Sequence, residues 1–68
     1  MKDQHGLELN EGDLVNCYPD PDNVATQQFT GTIQKFRLSG GEVLATVKDQ
    51  DDNCFDFESH ELELCLDC

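Results

Sequence analysis

Tryptophan is absent from this chain, and only four of its 68 residues are Lys or Arg. So few cations argue against direct nucleic-acid binding, because affinity for a phosphate backbone is carried largely by basic side chains. No run approaches the roughly 20 apolar residues of a membrane span. Met1-Lys2-Asp3-Gln4-His5 opens polar with no apolar run behind it, which sets aside an export signal and points to the cytoplasm. No segment holds a helical apolar period for several turns, which removes the α/β frameworks that support much of catalysis. A chain this short also has little volume for a small-molecule pocket once its own core is filled. The expectation is a single non-enzymatic domain with no cofactor.

Acid is what the chain has in abundance. Fifteen Asp and Glu against four Lys and Arg give a formal charge of −11. Such a surface repels phosphates and anionic membranes and attracts basic partners. Eight of the acids fall between Asp49 and Cys68, alternating with large apolar residues as in Phe55-Asp56-Phe57-Glu58 and Glu61-Leu62-Glu63-Leu64. Alternation at period two is the mark of strands with one buried and one wet face.

The same logic places five strands. Residues 1–10 read as a loosely ordered lead-in, although Leu7 and Leu9 alternate. After the Gly12-Asp13 turn, Leu14 to Tyr18 forms the first strand. Pro19 and Pro21 then force a long loop to about Gln27. Gln28 to Arg37 is the second strand, with Phe29, Gly31 and Ile33 on one face and Gly31 marking a bend or close backbone approach. Ser39-Gly40-Gly41 makes a hairpin turn. Glu42 to Asp49 follows, with Val43, Ala45 and Val47 inward. Asp51-Asp52-Asn53 turns the chain into Cys54 to Glu58, with Phe55 and Phe57 inward. Ser59-His60-Glu61 reads as one helical turn before Leu62 to Leu66.

This order of strands, one long first loop, two tight hairpins and a helical turn before the last strand, resembles the SH3-like barrel of Tudor, chromo-like and KOW-type modules. The pieces that carry the resemblance are Gly12-Asp13-Leu14-Val15, Phe29-Thr30-Gly31-Thr32-Ile33, Val47-Lys48-Asp49 and Phe55-Asp56-Phe57 leading to Glu61-Leu62. It implies an all-β, five-stranded barrel built from a strongly bent antiparallel sheet over residues 11–66, with residues 67–68 as a tail. It also implies a protein-interaction role; a strand edge left near the N-terminus could self-associate, so monomer and weak dimer both stand.

Two surfaces are candidates for a protein partner with a basic face. One is the loop and groove of Tyr18, Asp20, Asp22 and Phe29, where the resemblance to Tudor modules would use Tyr18 and Phe29 as walls around a cation. The other is the acidic face of Asp49, Asp51, Asp52, Asp56, Glu58, Glu61 and Glu63. Its charges, spaced as on neighbouring strands, suggest the alternative of a nucleic-acid mimic of the kind encoded by phage or mobile elements.

Cys65-Leu66-Asp67-Cys68 is a single CxxC without the second pair that structural zinc sites commonly use. Cys54, His60, Cys65 and Cys68 remain weak candidates for a metal- or redox-responsive set. Free thiols are the default reading for a chain without an export signal. Asp49-Gln50-Asp51-Asp52-Asn53 starts like a calcium loop but has Cys54 and His60 where Gly and Glu are required. A turn with Asp or Asn at positive φ explains those letters as well.

Overall fold

Alternating apolar residues and two glycine-rich or acidic turns are enough to build the sheet seen here. The computed structural model describes residues 1–22 and 27–66. Its strands are β1 (Leu14–Cys17), β2 (Phe29–Ser39), β3 (Glu42–Lys48), β4 (Cys54–Phe57) and β5 (Leu62–Leu64). A 3-10 turn, Ser59–Glu61, stands between β4 and β5, where one helical turn is expected. All neighbours are antiparallel in the order β4-β3-β2-β1-β5. Among the described residues β4 and β5, the two ends of that order, do not pair with each other, so the sheet is open and the expected barrel closure is not seen. No helix among the described residues is long and apolar enough to cross a membrane.

The 11-residue β2 is the spine of the sheet. Its first half pairs with β1 (Cys17 opposite Phe29, Val15 opposite Gly31), and its register against β3 shifts between Ile33 and Lys35. Gly31 sits where these two pairings meet. A Cβ built there would lie 2.5 Å from the Lys48 carbonyl oxygen and 2.7 Å from Val47 Cγ1. Only glycine admits that approach, which is the physical content of the glycine break in the β2 pattern. The following hairpin closes with Ser39 opposite Glu42, and Gly40 and Gly41 at φ 59° and 84° supply the left-handed pair that a two-residue turn needs. In the next turn Asp49 Oδ1 accepts the N–H groups of Asp51 and Asn53, both at 2.9 Å, and Asp52 takes φ 65°. The acidic run between β3 and β4 is thus a turn that solvates its own backbone.

Leu9, Val15, Cys17, Ile33, Ala45, Val47, Phe57 and Leu62 form the buried core. Phe29 lies 5.8 Å from Phe55 and 5.7 Å from Phe57, ring centre to ring centre, within the range of favourable tilted pairs. Val43, expected inward with Ala45 and Val47, is 43% exposed. It faces Leu38 at the end of the β2–β3 ribbon, and Leu38 is itself 76% exposed. The ribbon tip runs past the core, so the correct phase finds nothing there to pack on.

The lead-in is more firmly held than its composition suggests. Lys2 bridges Glu8, Leu9 enters the core, and Gln4 N–H donates to the Leu62 carbonyl. Asp3 is buried, and its carboxylate accepts backbone N–H groups from His5, Leu7 and, across the chain, Leu64 of β5. Burial alone would push its pKa up, but the three N–H donors outweigh it and hold the group below its ordinary value. The residues before β1 therefore cover the outer edge of β5, which would otherwise present unpaired backbone.

Two measurements test this frame. Gly31→Ala should cost about 1–3 kcal/mol through overpacking, and Phe57→Ala about 3–5 kcal/mol, in urea unfolding. Asp3→Asn should cost about 1–3 kcal/mol at neutral pH, because three backbone donors lose a charged acceptor. Its folded pKa lies below the unfolded value, so this contribution is present above that value and fades as pH falls through the folded one. The gap between wild type and Asp3→Asn should accordingly shrink below about pH 4; a gap constant down to strong acid would contradict the Asp3 account.

Candidate functional site

Charges that stand apart in the sequence meet at one cleft. Asp20 and Asp22 reach it from the β1–β2 loop, Glu42 from the start of β3, Asp56 and Glu58 from the end of β4, and Glu61 from the 3-10 turn. Ser39 and Leu44 complete its lining. Two of the loop candidates and three of the acidic-face candidates thus belong to a single surface.

Glu61 organises it. Expected on the wet face in phase with Glu63, it is instead buried, 3% exposed. The cause is local. One 3-10 turn rotates the chain between the two residues, so the period-two phase does not carry across it. The Glu61 carboxylate accepts the Asp20 N–H at 2.8 Å and the Glu58 N–H at 2.9 Å. The second of these is the backward reach of a capping box, a Glu satisfying an otherwise orphaned donor at the start of the turn. The first is a tertiary bond that pins the β1–β2 loop, and Tyr18 N–H adds to it by donating to the Glu61 carbonyl.

His60 lies between the carboxylates. Its Nε2 is 2.5 Å from Asp20 Oδ2 and 3.7 Å from Glu58 Oε2. The hydrogen bond to Asp20 raises its pKa above the ordinary histidine value against the opposing effect of burial, with the Asp20, Glu58 and Glu61 charges adding to the rise. Glu58 is pushed up as well, chiefly by a hydrogen bond with the Glu42 carboxyl and by that neighbour's charge. One donor atom from each of Asp20, Glu58, His60 and Glu61 lies within 4.8 Å of the other three.

The remaining candidates go elsewhere. Asp49, Asp51 and Asp52 belong to the β3–β4 turn, where Lys48 pairs with Asp52 at 3.2 Å. Asp56, at the cleft margin, pairs with Arg37 at 2.8 Å and accepts the Thr46 hydroxyl. Glu63 lies on β5, at the opposite end of the strand order from β4, so the acids of β4 and β5 do not form one strip. It receives the Asn16 amide and the Tyr18 hydroxyl and contacts His5 Nε2. The contacts with His5, Asn16 and Tyr18 hold its pKa low. Phe29 shares the core face with its register partner Cys17, whereas Tyr18, the next residue, projects to the other side. Tyr18 and Phe29 therefore do not wall a common cage.

Among the described residues no cysteine joins the group around His60, whose neighbours there are carboxylates. Cys54 is an exposed free thiol and Cys17 a buried one. Cys65 is disulfide-bonded, contrary to the expectation of a free thiol, and Cys68 lies outside the described residues. Burial, aided by the Glu61 charge, pushes the Cys17 thiol up to about 12. Comparison with protein-family models, with curated proteins and with solved structures finds no match.

A thiolate is the reactive form of cysteine. A maleimide probe at neutral pH should therefore label Cys54 in the native protein and reach Cys17 only after denaturant is added. Mass spectrometry of digested protein reads both positions, and equal labelling of the two in the native state would contradict the burial of β1.

Proposed function

We propose that this chain is an SH3-like protein-interaction module whose acidic cleft receives a basic segment of a partner protein. The strand order β4-β3-β2-β1-β5, the long β1–β2 connection and the 3-10 turn before β5 support the SH3-like reading. The observation that carries the functional reading is the convergence of Asp20, Asp22, Glu42, Asp56, Glu58 and Glu61 on one cleft from four parts of the chain. Loops held by a rigid scaffold are common sites of recognition, and here the loop is tied to the scaffold through Glu61. Against a Lys- or Arg-bearing segment such a cleft provides charge complementarity, which favours fast association and selects against acidic competitors.

The nucleic-acid-mimic alternative shares the charge but has less support, since Glu63 and the β3–β4 turn are separated from the cleft. A mimic would need a longer continuous line of carboxylates than this one surface provides.

Titration of the protein with a short Arg/Lys-rich peptide, followed by heteronuclear NMR, tests the proposal. Amide shifts should centre on Asp20, Asp22, Glu42 and Glu58, and affinity should fall as salt rises. Asp22→Asn with Glu42→Gln should weaken binding several-fold without loss of fold. Shifts spread evenly over all acidic residues, or an affinity indifferent to the double substitution, would refute a dedicated cleft.

A further inference from the structure

At the border of the cleft, against Asp20 and Glu58, stands one group that a site for basic peptides does not need, the imidazole of His60. We propose that Asp20, Glu58, His60 and Glu61 together bind one first-row divalent transition ion, of the Zn2+ or Co2+ type, bridging the β1–β2 loop to the 3-10 turn.

The donor set is chemically mixed, one nitrogen and three carboxylates, and it comes from separate stretches of chain. Imidazole with carboxylate oxygens suits Zn2+ and its first-row neighbours, whereas Ca2+ and Mg2+ sites are built from oxygens alone. Ligands about 2.0–2.2 Å from a shared tetrahedral ion stand about 3.3–3.6 Å apart. The four donor atoms lie within 4.8 Å of one another, and His60 Nε2 already lies 2.5 Å from Asp20 and 3.7 Å from Glu58. The ion would replace the His60–Asp20 hydrogen bond, that pair opening by about 1 Å while the wider separations close, both by small side-chain rotations.

Rigidity comes from the buried member. Glu61 holds the backbone N–H groups of both Asp20 and Glu58, so three of the four ligand residues are linked before any ion arrives. A carboxylate has about four lone-pair sites, which makes holding those donors compatible with ligation. Charge points the same way. Three carboxylates around one imidazole, with Glu42 directly against Glu58, form an assembly of like charges that a divalent cation neutralises. The β3–β4 turn makes the contrast: it is as acidic, but Asp49 is occupied by its own backbone, Lys48 answers Asp52, and no imidazole is present.

The test uses the chain alone, in a Cys54→Ser background without reductant, so that thiol binding is removed. Zn2+, Co2+ and Ca2+ are titrated separately by calorimetry, with NMR of the His60 ring nitrogens and visible absorption of the Co2+ form. Expected are one equivalent of Zn2+ or Co2+, a ring-nitrogen shift at His60, a Co2+ spectrum of low coordination number, and much weaker Ca2+ binding. His60→Gln and Asp20→Asn should each lower Zn2+ affinity at least about tenfold, while Glu11→Gln, a remote acid, should leave it unchanged. Unaltered affinity in His60→Gln, equal binding of Ca2+ and Zn2+, or shifts centred on Asp49 to Asp52 would each overturn the site. No peptide enters this titration, so its failure leaves the peptide result standing, and failure of peptide binding leaves the metal result standing.

Discussion

One buried carboxylate decides the shape of the functional end of this molecule. Removing the Glu61 charge from water is costly unless donors replace the lost hydration. The donors are backbone N–H groups of Asp20 and Glu58, which belong to segments far apart in sequence. Satisfying Glu61 therefore requires the β1–β2 loop to lie against the end of β4. That one requirement draws Asp20 and Asp22 onto the same surface as Glu42 and Glu58. The cleft is a consequence of solvating Glu61 from within the protein.

A second carboxylate does the same at the other end. Asp3 gathers His5, Leu7 and Leu64 N–H groups and covers the β5 edge. In a chain with so few cations, much of the structural electrostatics runs through backbone amides. Of the four Lys and Arg side chains, Arg37 and Lys48 are in ion pairs with Asp56 and Asp52. The candidate carboxylates are sorted into three places: the β3–β4 turn, the Glu63 network and the cleft. In the first two, Asp49, Asp52 and Glu63 are engaged with local backbone, Lys48 or neighbouring side chains. In the cleft Glu58 shares a hydrogen bond with Glu42 and feels its charge, and this holds Glu58 above its ordinary pKa although the neighbouring His60 acts in the opposite direction.

Much of the sheet could be foreseen. Phe29, Gly31 and Ile33 announce the inner face of β2, Gly40-Gly41 the hairpin, and Phe55 and Phe57 the inner face of β4. Ser59-His60-Glu61 announces the helical turn. Each rests on local physics: two-residue alternation, positive φ, or the absence of room for a Cβ. The errors fall where period-two phase alone does not decide a residue's surroundings. Val43 has the right phase but lies beyond the core. Glu61 has the wrong phase because a 3-10 turn intervenes. Phe29 and Tyr18 are adjacent to one loop but project to opposite faces. The cleft itself joins two candidate lists, and no local pattern relates Asp20 to Glu58.

Period-two alternation, turn chemistry and a charge of −11 follow from the order of residues, because each acts over a few neighbours or over the whole composition. Which carboxylates are wet, which are buried, and which stand beside His60 was decided only in three dimensions. A carboxylate accepts donors from any direction, and beside their local donors Glu61 and Asp3 each hold one, Asp20 N–H and Leu64 N–H, from a segment that only the folded sheet brings within reach.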